Sequence, residues 1–186
     1  MRIGSTFTDH GASLRTIYVF AYADSASHSD LNVSASELGV MGKTFMYNFF
    51  TGTGREIDLH HPFTILTAAD AWSYNVFVPI SKNGIALIGD TGKFVTCGKQ
   101  RIAKLKAAGS GIKATILFAR GERTVTLCGH APRAVAVEVT GGSVVKNEFN
   151  SLTDLFSFEI HPSENLRYRS VDGDMVAEIP LTIFIR

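Results

Sequence analysis

The chain has 186 residues, 45% of them apolar and 19% charged, a balance that suits one folded domain and excludes intrinsic disorder. Eighteen Lys and Arg against seventeen Asp and Glu leave a formal charge of +1, too weak a field to hold a phosphate backbone, so no nucleic-acid partner is expected. No apolar run approaches the roughly 18 residues of a membrane-spanning helix, and the opening MRIGSTFTDHG lacks the apolar core of a secretory signal, so no membrane partner is expected and cytoplasmic localisation is the default.

In chain order, residues 1–14 read as a loosely attached N-terminal segment. Beyond them, β-branched and aromatic residues fall in short runs between glycine-containing turns, which is the all-β pattern. Strands are expected over 16–23 (TIYVFAYA), 44–50 (TFMYNFF), 63–67, 74–80 (YNVFVPI), 85–88 and 94–97. Others follow over 112–119, 124–127, 134–140, 156–160, 176–179 and 181–185, about twelve in all. Ser34 and Glu37, at capping-box spacing before Gly39, predict one short helix. Residues 99–108 (KQRIAKLKAA) suit a helix by propensity and a strand by the alternation of Ala103, Leu105 and Ala107, and both readings stay open. Asn83-Gly84 and Asp172-Gly173 supply the φ > 0 that two-residue hairpins need, with looser turns at 52–54, 109–111, 121–122 and 141–142. With no repeat or linker-like stretch, the expected architecture is a single antiparallel β-sandwich over 1–186, of jelly-roll or Greek-key type, with at most one or two short helices.

Three glycine-lysine or glycine-rich elements invite a nucleotide reading, and none has the spacing that phosphate binding requires. Gly42-Lys43-Thr44 carries Glu37 where a P-loop has its first glycine, and Gly92-Lys93 carries Leu87 there. Gly109, Gly111 and Ala114 match G-x-G-x-x-A, but the following ATILFA reads as a strand, so no helix N-terminus faces a pyrophosphate. Cys97 and Cys128 are too few for a disulfide framework, and whether they pair stays open. Cys128 and His130, two apart on a strand, would share a face; a small core residue beside a strand-end histidine is the preferred account. No motif selects a catalytic pair from the seventeen carboxylates, so no catalytic residue is assigned.

Asp58, His60 and His61 form the densest group of potential ligands. Adjacent strand residues face opposite sides, so both imidazoles reach one ion only from a loop, which Pro62 favours, and no third histidine lies near in sequence. No metal or cofactor is therefore assigned, and His60 and His61 stand instead as candidate sugar contacts. Sugar rings stack C–H faces on aromatic rings while their hydroxyls seek polar side chains. Trp72, Tyr74 and Asn75 form such a group, Trp72 and Tyr74 sharing a face at i and i+2, and Asp70 joins them if the strand extends that far back.

The segments FMYNFFTGTGREIDLHHPFTI, YNVFVPISKNGIALIGDTGKFVTCGKQRI and LFARGERTVTLCGHAP carry a further pattern. Over about residues 15 to 140 the chain resembles the all-β domain that follows the catalytic (β/α)-barrel in retaining glycoside hydrolases, such as α-galactosidases and raffinose-synthase-like enzymes. The positions that carry the resemblance are Tyr47 to Phe50, Val78 to Ile80, Gly84 to Gly89 and Lys93. It implies a non-catalytic accessory domain of a carbohydrate-active enzyme, partnered with a (β/α)-barrel that holds the catalytic aspartates; glycan contact is expected through Trp72 and Tyr74. The alternative is a small free-standing β-sandwich enzyme or lectin-like binder that uses the His60/His61 loop.

Overall fold

The computed structural model describes residues 2–11, 14–23, 29–68, 70–109 and 111–186. These residues form sixteen strands, all paired antiparallel, and no helix, so the all-β expectation holds with more strands than twelve. They gather into two compact units, one holding the residues up to Asp9 and Arg15–Ile80, the other His10–Leu14 and Ser81–Arg186.

The first unit contains β1 (Arg2–Asp9), β2 (Arg15–Tyr22), β3 (Leu31–Val33), β4 (Thr44–Asn48), β5 (Thr53–Glu56), β6 (Phe63–Leu66) and β7 (Trp72–Pro79). Five of these form a sheet in the order β1-β2-β7-β4-β5, and β3 pairs with β6 as a separate ribbon. The apolar face of the sheet (Ile17, Val19, Ala21, Met46, Phe77) closes on the ribbon residues Val33, Phe63, Ile65 and Leu66 to make one core.

The second unit contains β8 (Ala86–Gly89), β9 (Ile102–Ala108), β10 (Gly111–Ala119), β11 (Val125–His130), β12 (Val135–Val139), β13 (Gly142–Asn150), β14 (Leu155–Pro162), β15 (Arg169–Val171) and β16 (Asp174–Ile185). It is a sandwich of two sheets, β12-β16-β10-β9 with β15 on β16, and β13-β14-β11-β8. Alternate residues of both sheets, among them Ile116, Phe118, Ile179 and Ile183 on one side and Leu127, Phe156, Phe158 and Ile160 on the other, fill the space between.

Several expectations are corrected. Ser34 and Glu37 do form reciprocal capping bonds, Ser34 N to Glu37 Oε2 at 2.6 Å and Glu37 N to Ser34 Oγ at 3.4 Å, but on a turn rather than a helix, because Gly39 at φ 68° closes it after residue 39. Phe94 to Cys97 is a turn, held by Asp90 N to Thr96 O and Gly98 N to Val95 O. Residues 176–179 and 181–185 merge into β16: the Pro180 carbonyl accepts from Thr140 N just past β12, and the amide proline lacks would point to that same unladdered edge. Asn83-Gly84 joins strands of different sheets, whereas Asp172-Gly173, at φ 51° and 92°, makes the expected hairpin between β15 and β16. Of the open segment 99–108, residues 102–108 form β9 and 99–101 a turn, and the 109–111 turn leads into β10, its Ser110 lying outside the described residues. Of residues 1–14, expected to be loosely attached, Arg2–Asp9 form β1 and pair with β2 at eight positions; residues 1, 12 and 13 lie outside the described residues.

One buried cation organises the second unit. Arg101, 10% exposed, donates from Nε to Asp90 Oδ2 at 2.8 Å, from Nη1 to Leu117 O at 2.6 Å, and through both terminal nitrogens to Glu122 at 2.5 and 2.8 Å. Burial pushes the Glu122 carboxyl up, but its bonds to Arg101 and the Ala119 amide, with the charges of Arg101 and Lys93, outweigh burial and hold it below the ordinary 4.5. Removing the cation strands two largely buried carboxylates, so Arg101→Met is expected to cost about 3 kcal/mol in urea unfolding at neutral pH. Because the folded carboxyl of Glu122 titrates below 4.5, its share is present above that pH and lost as pH falls through the lower folded value. The gap between wild type and Arg101→Met should therefore narrow in acid, and a gap that does not change with pH would refute the assignment to Glu122.

Candidate functional site

The six expected sugar contacts do not form one site, and the reason is the two-residue period of β7. Register pairs Trp72 with Tyr22 and Tyr74 with Phe20, which puts these four rings on one face of the five-stranded sheet. Asn75 lies opposite Val19 and Asn48 and so belongs to the other face. Asp70 precedes the strand, in a turn where it accepts from Thr67 Oγ1 at 2.7 Å, so it does not extend the Trp72 face.

On the aromatic face, Trp72 is 50% exposed and Tyr74 only 8%. Phe50, from the turn after β4, meets Trp72 edge-on with ring centres 4.2 Å apart and an interplanar angle of 81°. Phe20 lies 6.3 Å from both Trp72 and Tyr22, and Phe49 packs its edge against Tyr74 at 5.3 Å. Phe20, Tyr22, Phe50 and Trp72 are thus a continuous, solvent-facing set of rings resting on Tyr74 and Phe49. Edge-on contact is the favourable arrangement of ring quadrupoles and fixes the indole orientation in advance of any ligand. Sequence reading found Trp72 and Tyr74 but missed Phe20, Tyr22 and Phe50, which lie far off in the chain; the FF pair at 49–50 before a glycine turn was the one available signal.

On the opposite face, Asp70 and Asn75 line a pocket of about 350 Å3 together with Asp30, Asn48, Arg55 and Thr67. Asn75 is 1% exposed, and its Nδ2 donates to Ile65 O at 2.9 Å and to Ser73 Oγ at 3.2 Å. Asp30 Oδ1 accepts from Ala68 N at 2.8 Å, which fixes the loop that carries Asp70.

His60 and His61 sit apart from both, exposed on the connection between β5 and β6. His61 Nδ1 lies 2.6 Å from Asp58 Oδ2, and His60 N donates to Asp58 Oδ1 at 2.9 Å. The His60 amide and then the His61 imidazole hold the Asp58 carboxyl below its ordinary range. Among the described residues no three His, Cys, Asp or Glu side chains converge where one ion would be held. Neither Cys97 nor Cys128 is in a disulfide, which settles the open pairing. Burial pushes the Cys128 thiol up, against the lowering effect of Thr91 Oγ1 at 3.6 Å, which is the opposite of an activated nucleophile.

No protein-family model matches the chain, and no match is found among curated proteins.

Burial pushes the Tyr74 phenol up to about 12. A raised phenol leaves stability intact below pH 10, the unfolded value, and drains it as pH climbs towards 12. Tyrosinate absorbance of wild type minus Tyr74→Phe should therefore show one phenol titrating near 12. A difference curve centred on 10 would mean that Tyr74 is solvated and the rings do not rest on it.

Proposed function

We propose that this chain is a non-catalytic all-β accessory domain of a carbohydrate-active enzyme, partnered with a catalytic (β/α)-barrel, and that it contacts glycan through the aromatic face around Trp72. The observation that carries the reading is the half-exposed Trp72 ring, held edge-on by Phe50 within a row of exposed aromatics. Exposed, contiguous aromatic surface is costly to keep in water and marks a binding face. A rigid ring row is what the C–H faces of successive sugar units require, since the rings lose little freedom on binding. The resemblance of residues 15 to 140 to domains that follow glycosidase barrels supports the accessory role.

Trp72 is the sole tryptophan, so emission excited in the tryptophan band reports on this face alone. Ligands selected on a glycan array should shift that emission saturably. Trp72→Ala should abolish array binding while costing about 1 kcal/mol of stability, the scale of its exposed edge contacts, against about 3 to 5 for a buried tryptophan. Array binding that survives Trp72→Ala, or a wild-type chain that binds no glycan, would overturn the glycan-contacting role. The isolated chain is also expected to leave aryl glycosides intact; turnover abolished by an Asp or Glu substitution in this chain would overturn the non-catalytic reading.

A further inference from the structure

We infer that the pocket lined by Asp30, Asn48, Arg55, Asp70 and Asn75 is a second sugar site, specific for a neutral, hydroxyl-rich ligand such as one terminal pyranose of a glycan. It deepens the glycan-contacting reading but stands on different residues, on the opposite face of the sheet from Trp72.

The floor is the side chain of Asn75, on the central strand β7 and 1% exposed. Its Nδ2 is committed to Ile65 O and Ser73 Oγ, which turns Oδ1 the other way, and among the described residues no group donates to that oxygen. An amide oxygen on a pocket wall that no protein group bonds can accept an O–H from a ligand without breaking a hydrogen bond within the protein. The walls add both kinds of hydrogen-bonding group. Asp30 and Asp70 each use one carboxylate oxygen on the protein, for Ala68 N and Thr67 Oγ1, and keep the other without a donor among the described residues. Arg55, on edge strand β5 and exposed, supplies the donors and makes no ion pair within the described residues.

Charge then selects the ligand class. Two carboxylates oppose an anionic ligand, the guanidinium opposes a cationic one, and a ring of hydroxyls, each donor and acceptor at once, suits both. The volume of about 350 Å3 lies at the small end of ligand pockets, roughly 300 to 1,000 Å3, which fits one sugar ring rather than an extended chain. Since Ser73 and Asn75 point away from Trp72 and Tyr74, a chain stacked on the aromatic rings does not enter this pocket.

The test uses the full 186-residue chain, isotope-labelled, titrated by NMR with methyl α-galactopyranoside, methyl α-glucopyranoside and, as the charged comparison, sodium glucuronate. One neutral glycoside is expected to shift the Asn75 side-chain amide and the Asp70 backbone amide saturably, and glucuronate to bind at least about tenfold more weakly. Arg55→Ala and Asp70→Asn should each weaken binding about tenfold or more, as loss of a charge-assisted hydrogen bond does. Both residues are exposed, so the melting temperature should hold, and the two variants check one another for folding. Trp72→Ala should leave this titration unchanged. The inference is overturned by shifts that never saturate or that appear only around Trp72, by glucuronate binding as tightly as the glycosides, or by variants that bind like wild type. A silent pocket beside an intact Trp72-dependent array signal defeats this inference alone, and the reverse result defeats only the aromatic reading.

Discussion

The carbonyl of Ile65 is the point on which both candidate surfaces depend. It accepts from Ser73 Oγ at 2.5 Å and from Asn75 Nδ2 at 2.9 Å, so two alternate residues of β7 are tied to one oxygen of the β3-β6 ribbon. Strand β7 is flanked by β2 and β4 and is buried on both faces, so apolar alternation alone sets its phase weakly. A slip of one residue would turn the Asn75 amide in among the aromatic rings and push Tyr74 into the core against Phe63 and Ile65. The two bonds to Ile65 oppose that, and with the Phe77 side chain packed in the core they hold Trp72 on one side and Asn75 at the pocket on the other. Polar groups buried here serve register rather than bulk stability.

The second unit uses a charge for a related purpose. Arg101 sits immediately before β9 and reaches Leu117 O on β10, while Leu117 N donates back to Arg101 O. The β9-β10 register shifts between Thr115 and Ile116, and just past that irregularity the guanidinium gathers Asp90 and Glu122. A bulge loses ladder bonds, and a fixed cation tying the start of β9 to Leu117 beside the irregularity anchors that end of the strand pair.

How far the sequence disclosed this can be judged residue by residue. Strands with a continuous β-branched or aromatic run, such as β2, β7 and β10, are plain because both faces are apolar or one is sharply so. Strands β1, β5 and β13 were not legible: their side chains are mostly exposed, and their place comes from backbone pairing with β2, β4 and β14, which leaves little apolar pattern. Phe94 to Cys97 misled in the other direction, since Thr96 and Cys97 are buried within a turn. At the candidate site, Trp72 and Tyr74 could be placed on a common face from spacing alone. That Asn75 takes the opposite face follows from the same rule, whereas the company it keeps, Asp30 and Arg55, is set by tertiary pairing that no local window contains.

The path of the chain has one further effect. After β1 the chain contributes His10–Leu14 to the second unit and then returns to begin β2. His10 Nε2 lies 2.9 Å from Cys97 O, and Leu14, 5% exposed, is part of the sandwich core with Ile85 and Leu87. Neither unit is therefore a contiguous stretch of polypeptide, and no single cut separates them. Division after Ile80 strips Leu14 from the sandwich and leaves an apolar side chain without its core on the other fragment, so the two bodies are one object at the level of the gene.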